Sequence, residues 1–284
     1  MRPTQIGSLT ALSGFLESML KYSTVAAMSD IAAATRRMPL VGILGWQDVR
    51  QRYRRSALGP LWLTISMGVM IATIGIVFGS LFHSPMTEFL PSLASGIILW
   101  GFISTVINEG CVSFIASDAI IRQLPIPLFV HVLRMTWRNV IILGHNLLIL
   151  PIVFVAVRKS VHPVMVVSIV GFALLVINLL WMALILGVAC ARFRDLSQMV
   201  GSILQVVFYL TPIMWLPQSL PASVSAYVLN FNPVYHLLEI VRAPLLGHLP
   251  STMSWVVSGA IAAIGWAVAL LFYGHFRRRI AYWL

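Results

Sequence analysis

The chain has 284 residues, of which 59% are hydrophobic and only 10% are charged, with a mean hydropathy of +0.92. Soluble globular domains carry about a quarter charged residues, so this balance excludes a sizeable soluble module and points to one integral membrane domain. The formal net charge of +11 does not mark a nucleic-acid binder, because the basic residues gather ahead of the first apolar run (Arg2, Lys21, Arg36, Arg37 and the Arg50–Arg55 group) and at Arg277–Arg279. That is the positive-inside arrangement, for which membrane lipids with anionic headgroups are the partner.

Residues 1–39 are mixed in character and read as a cytoplasmic N-terminal extension of unassigned structure. Their apolar content is interrupted by Ser8, Ser13, Glu17 and Lys21, which argues against a signal peptide. From Leu40 the spacing sharpens. Leu40, Ile43, Leu44, Trp46, Val49 and Tyr53 recur every three or four residues, with Gln47, Asp48, Arg50, Arg54 and Arg55 on the other face. This pattern predicts an amphipathic helix over 40–58 lying in the membrane interface, with Trp46, Arg50, Tyr53 and Arg54 as its contact residues. Gly59 and Pro60 then turn the chain into the membrane.

The predicted fold is all-α, with six transmembrane helices over about 61–82, 93–117, 128–157, 163–190, 197–216 and 255–272, and both termini on the cytoplasmic side. The first span carries Gly75 and Gly79 in a GxxxG spacing, which admits a close helix neighbour either within the subunit or across a dimer. The second contains Glu109, and the third Arg134 and Arg138, four residues apart on one helix face. At 1.5 Å per residue Glu109 lies roughly 12 Å before Ser117, and the two arginines roughly 10 and 16 Å beyond Pro127. The matching depths predict a pairing of Glu109 with Arg134 or Arg138, with snorkelling of the arginines to the headgroups as the competing reading.

Between the second and third spans, Asp118 to Gln123 form a short amphipathic turn closed by Pro125 and Pro127. Between the fifth and sixth, residues 217–250 are interrupted by five prolines and hold an amphipathic run with Tyr235, His236, Glu239 and Arg242, which reads as an external interfacial segment, lid or gate. Phe78, Phe82, Phe208, Tyr209 and Trp215 cluster near the expected external ends. They form either an interface belt or, if turned inward, flat surfaces for sugar rings.

The sequence contains no GxxxxGK[ST] motif, so ATP binding of the P-loop kind must reside elsewhere. The seven histidines and two cysteines lack metal-ligand spacing, and no paired carboxylates support glycosyl or acyl chemistry. These absences argue against a membrane-embedded glycan-modifying transferase, and Glu109 alone is thin support for an ion-coupled secondary transporter.

Several blocks together resemble the membrane-channel subunits of ABC-type polysaccharide exporters, the O-antigen and related surface-polysaccharide permeases. They are DVRQRYRRSALGPLW from Asp48, LWGFISTVINEGCVSFI from Leu99, Trp137 to Asn139 with His145 and Asn146, and NPVYHLLEIVRAPLLG from Asn232. The resemblance runs from about Leu40 to the C-terminus and implies a homodimer joined to two copies of a cytoplasmic ATPase subunit, which would bind the ATP and magnesium. It implies that Asp118, Ile120, Ile121, Arg122 and Gln123 dock the ATPase, that residues 217–250 form an external gate, and that a lipid-linked polysaccharide is exported across a bacterial inner membrane. Teichoic acid, capsule or a smaller amphiphile remain alternative cargoes.

Overall fold

The structure, a computed structural model, describes residues 23–54, 61–81, 85–216 and 229–284, with the side chain of Tyr53 outside that set. The expected turn at Gly59 and Pro60, the aromatic candidate Phe82, and residues 217–228 of the expected gate lie outside the described residues. Within them the chain is helical and has no strand. An apolar environment offers no hydrogen-bond partner to the backbone, so each apolar run closes its own bonds as a helix.

The first helix, α1, covers residues 23–35, in the extension for which the sequence suggested no structure. Its alanine-rich sequence has high helical propensity. A corner at Arg36 and Arg37 leads into α2 (Met38–Tyr53). Next come α3 (Leu61–Leu81), α4 (Met86–Val112), the short α5 (Asp118–Gln123), α6 (Phe129–Asn146) and α7 (Ile149–Ala156). A 3-10 turn over Pro163–Val166 opens α8 (Val167–Arg192), which is followed by α9 (Leu196–Leu210), α10 (Pro233–Leu245) and α11 (Thr252–Trp283).

Among the described residues five stretches are long and apolar enough to cross a membrane: α3, α4, α6 with α7, α8 with its 3-10 turn, and α11. The expected fifth span, 197–216, is instead the 15-residue α9, about 22 Å long at 1.5 Å per residue against a hydrocarbon core of about 30 Å. Thr211 ends it in an extended conformation one residue before Pro212, as a residue preceding proline prefers. The expected third span is interrupted at Leu147 and Leu148, where the ring of Pro151 excludes the Leu147 carbonyl from a regular helix. The second span begins at Met86, so Pro91 lies inside α4 and not in a loop. The last helix, with 32 residues, is about 48 Å long and carries Arg277–Arg279 well beyond its apolar part.

The centre of the bundle is α4 against α8, where Leu93, Ile98, Leu99, Ile103, Leu175, Leu179 and Leu184 are all buried. Around this pair pack α6, α10 and α11. Of the apolar stretch of α4, 78% is buried, against 11% for that of α3. The first span therefore stands at the edge of the bundle, attached along the narrow stripe of Ile71, Gly75 and Gly79. A Cβ at Gly75 would meet Leu90 at 2.6 Å, and one at Gly79 would meet Met86 at 2.5 Å. The GxxxG spacing thus serves packing against α4 of the same subunit.

Candidate functional site

One end of the bundle gathers α1, α2, α5 and the Arg277–Arg279 end of α11, and an ionic network is built there from three helices. The buried face of α2 is Val41, Gly45 and Val49, while Ile43 and Trp46 are exposed. A Cβ at Gly45 would fall 2.8 Å from the Trp137 ring and 3.2 Å from the Arg134 carbonyl, so glycine is what lets α2 lie directly on α6. That approach carries Asp48, which the periodicity placed on the outer polar face, into contact with Arg134 and Arg138. The physical reason is that α2 packs on protein with one face and leaves a second apolar face outside, so no single stripe describes it.

Arg134 grips both Asp48 oxygens, with its Nε donating at 2.6 Å. Arg138 donates to Glu109 at 2.6 Å and reaches Asp48 at 3.5 Å. Glu109 also accepts from Asn139 at 2.5 Å and from Arg52 at 3.1 Å. Of the two arginines named for Glu109 by depth, Arg138 meets it, while Arg134 bonds to Asp48 instead. Asp48 and Arg52 as partners were missed. Their i, i+4 spacing on α2 matched that of Arg134 and Arg138, which was the available signal.

Behind α5 a small polar cavity of about 220 Å³ is lined by Ile120, Asp48, Glu109, His131, Arg134 and Arg138. Ile120 of the short helix thus borders the same cavity as the network, while Ile121 packs on the core. On its outer side Arg122 and Asp118 bond to each other at 2.5 Å, and Arg122 and Gln123 are exposed.

Two grooves flank α3. The larger, about 670 Å³, runs between α3, α4 and α6; Met67, Ile98, Phe102 and Leu143 form its apolar wall, and Arg52 and Asn139 its polar end. The other, about 440 Å³, lies between α3, α4 and α9, where Trp100, Phe208 and Tyr209 face Met67 and Met70, with Ser104, Asn108 and Gln205 as hydrogen-bonding groups. Trp100 and Phe208 have ring centroids 5.7 Å apart, and Phe208 and Tyr209 5.3 Å. Two of the candidate aromatics, Phe208 and Tyr209, therefore line a groove. Trp215 donates its indole N–H to the Tyr209 carbonyl at 3.3 Å, and Phe78 packs partly buried against the core.

The four residues named in the 217–250 region sit on α10, which is packed in the protein against α8, α4 and α11. His236 is held between Ser254 and the Asn230 carbonyl, both at 3.1 Å. Arg242 is buried and bonded to Glu239 at 2.8 Å and to the Pro212 carbonyl at 2.5 Å. Leu237, Leu238, Ile240 and Val241 complete the inner face. This is a firmly seated helix, capped by the Asn232 side chain. Among the described residues no group of three or more His, Cys, Asp or Glu side chains could hold a metal ion.

The site is thus part of an apolar, membrane-type helical bundle, with open grooves beside a sparsely buried edge helix and an ionic network at one end. Residues 39–246 match the ABC-2 type transporter family, and the chain belongs to that family. It is similar to the polysialic acid transport protein KpsM of Escherichia coli, with 22% identity over 203 residues, covering 70% of this chain and 78% of that protein. It is also similar to the O-antigen export system permease protein RfbA of Klebsiella pneumoniae, with 22% identity over 240 residues, covering 81% and 90%. The protein of that name from Myxococcus xanthus is 23% identical over 232 residues, covering 80% and 88%. The chain is a multi-pass membrane component of a transporter and not an enzyme, and ABC-2 permeases work in general with ABC ATPase partners.

Proposed function

We propose that the chain is the channel-forming subunit of an ABC exporter that moves a lipid-linked polysaccharide of the O-antigen type across a bacterial inner membrane. Two copies assemble with two copies of a cytoplasmic ATPase subunit, which holds the ATP and magnesium. Both termini face the cytoplasm, so that the basic residues meet the anionic leaflet. The observation that carries this reading is the aromatic groove bordered by α3, α4 and α9, in a chain whose relatives are named for moving polysaccharides. Apolar aromatic faces let a sugar ring slide, while Ser104, Asn108 and Gln205 supply exchangeable hydrogen bonds. The sparse burial of α3 supports its place at a moving boundary, either against the second copy or along the channel.

In this reading the ATPase dimer presses on α5, and Ile120 passes the displacement to the Asp48, Glu109, Arg134 and Arg138 network and so to α2, α4 and α6. The experiment is deletion of the chain in its own cells, followed by labelling of surface polysaccharide and restoration from a plasmid. Loss of surface polymer with accumulation of the lipid-linked form inside is expected. Unchanged surface polymer overturns the proposal. Reversing the charges at Asp118 and Arg122 is expected to leave the protein in the membrane and stop export.

A further inference from the structure

Residues 23–35 lie outside the part of the chain that matches the family, yet they hold the most thoroughly enclosed carboxylate among the described residues. Asp30 lies on the inner face of α1, with Ala27 and Ala34 on the same face at 0% exposure. Its side chain is 4% exposed. One carboxylate oxygen accepts the Phe129 backbone N–H at 3.1 Å and the Tyr273 hydroxyl at 2.7 Å; the other lies 3.4 Å from the Arg277 guanidinium. Arg277 also donates to the Ala26 carbonyl. A Cβ at Gly274 would come 2.4 Å from the Ser23 carbonyl oxygen, so the backbone of α11 is in direct contact with the start of α1.

These partners come from two distant parts of the chain. Phe129 is the first residue of α6, immediately after the segment that contains α5 and the two prolines. Its amide lies in the first helical turn, where no carbonyl of the same helix can accept it, and a buried N–H requires a partner. Tyr273 and Arg277 lie one turn apart on α11, the last span. A buried carboxylate with three donors holds all of them in one geometry, since loss of any donor would leave charge or polarity unmatched in a low-dielectric setting.

We infer that Asp30 is a positioning residue for energy coupling: it ties the start of α6, directly downstream of α5, to the end of α11. This rests on the reading of α5 as the place where an ATPase pushes. With the tie in place, displacement of α5 moves α6 and α11 as one stiff body; without it, the proline-rich segment from Leu124 to Leu128 absorbs the displacement as a hinge. Residues 23–35 are on this account part of the transmission and not a dispensable extension.

The test uses the full chain reconstituted with its ATPase partner and compares Asp30→Ala, Asp30→Asn and Tyr273→Phe with the unaltered protein. Hydrogen exchange followed by mass spectrometry is expected to show a newly unprotected amide at Phe129 in Asp30→Ala. Exported product per ATP hydrolysed is expected to fall at least about fivefold, the low end of a site-to-site coupling, while ATP hydrolysis continues. Asp30→Asn keeps an acceptor for Phe129 and Tyr273 and is expected to recover most of the coupling, with Tyr273→Phe in between. Equal product per ATP in Asp30→Ala and unaltered protein overturns the inference, as does Asp30→Asn failing as badly as Asp30→Ala. Absence of ATP-driven export by the unaltered complex overturns instead the reading of the chain as an exporter.

Discussion

Replacing Glu109 separates a shared ionic network from a simple pair. Glu109 accepts from Arg138 at 2.6 Å, Asn139 at 2.5 Å and Arg52 at 3.1 Å, and its side chain is 17% exposed. Removing one partner of a fully buried ion pair costs about 3–5 kcal/mol, whereas exposed pairs contribute about 0–1 kcal/mol. Glu109 and Arg138 lie between these limits but closer to the first, so Glu109→Ala is expected to cost about 2–3 kcal/mol. Arg52, with its side chain 47% exposed and one bond to Glu109, is expected to cost under about 1 kcal/mol as Arg52→Ala. The charge swap that joins Glu109→Arg to Arg138→Glu does not rescue. It would set a guanidinium against Arg52 and a carboxylate against Asp48, so the double variant stays at least as unstable as either single one. Chemical unfolding of the purified protein in mixed micelles reads these values directly. A swap that restores the stability of the unaltered protein, or an Arg52→Ala change as costly as Glu109→Ala, refutes the network as described.

Further outcomes test other parts of the structure. A Cβ at Gly171 would sit 2.1 Å from the Ile240 carbonyl oxygen, so Gly171→Ala must push α10 off α8; a loss of about 1–3 kcal/mol, typical of overpacking, is expected in the same unfolding assay. Arg158 has a positive φ of 56° at the end of α7, where its N–H and that of Lys159 bond back to Val155 and Phe154. Arg158→Gly relieves that left-handed conformation and is expected to stabilise the protein by about 1 kcal/mol, seen as a raised unfolding midpoint. At Gly201, on the wall of the aromatic groove, a Cβ would meet only Asn108 at 3.6 Å. Gly201→Trp is therefore expected to fold, fill the groove and stop export while membrane abundance is unchanged.

The apolar runs were legible as helices because a charge-free stretch in hydrocarbon has few other ways to satisfy its backbone. Helix lengths were less legible. Hydropathy cannot see that Pro151 interrupts the third span or that Thr211 and Pro212 stop α9, because both stretches remain apolar through the break. At the site, Glu109 and Arg138 could be matched by depth, since both are costly residues in otherwise apolar helices. Asp48 was hidden by its setting in a strongly polar segment, where a carboxylate ordinarily faces solvent. Asp30 was hidden more deeply, as its partners Phe129, Tyr273 and Arg277 are remote in sequence and one of them is a backbone amide. His236 and Arg242 were singled out as polar groups in an ambiguous stretch, and they prove to be the bonds that seat α10.

The central claim is tested most directly in proteoliposomes that contain the purified chain and its ATPase partner, supplied with a labelled polyprenyl-linked glycan on the ATPase side. ATP is expected to drive the glycan to the opposite face, where an added glycosidase releases the label, and Gly201→Trp is expected to abolish that release while ATP hydrolysis persists. Label that stays on the ATPase side in the presence of ATP and an active ATPase would contradict the account.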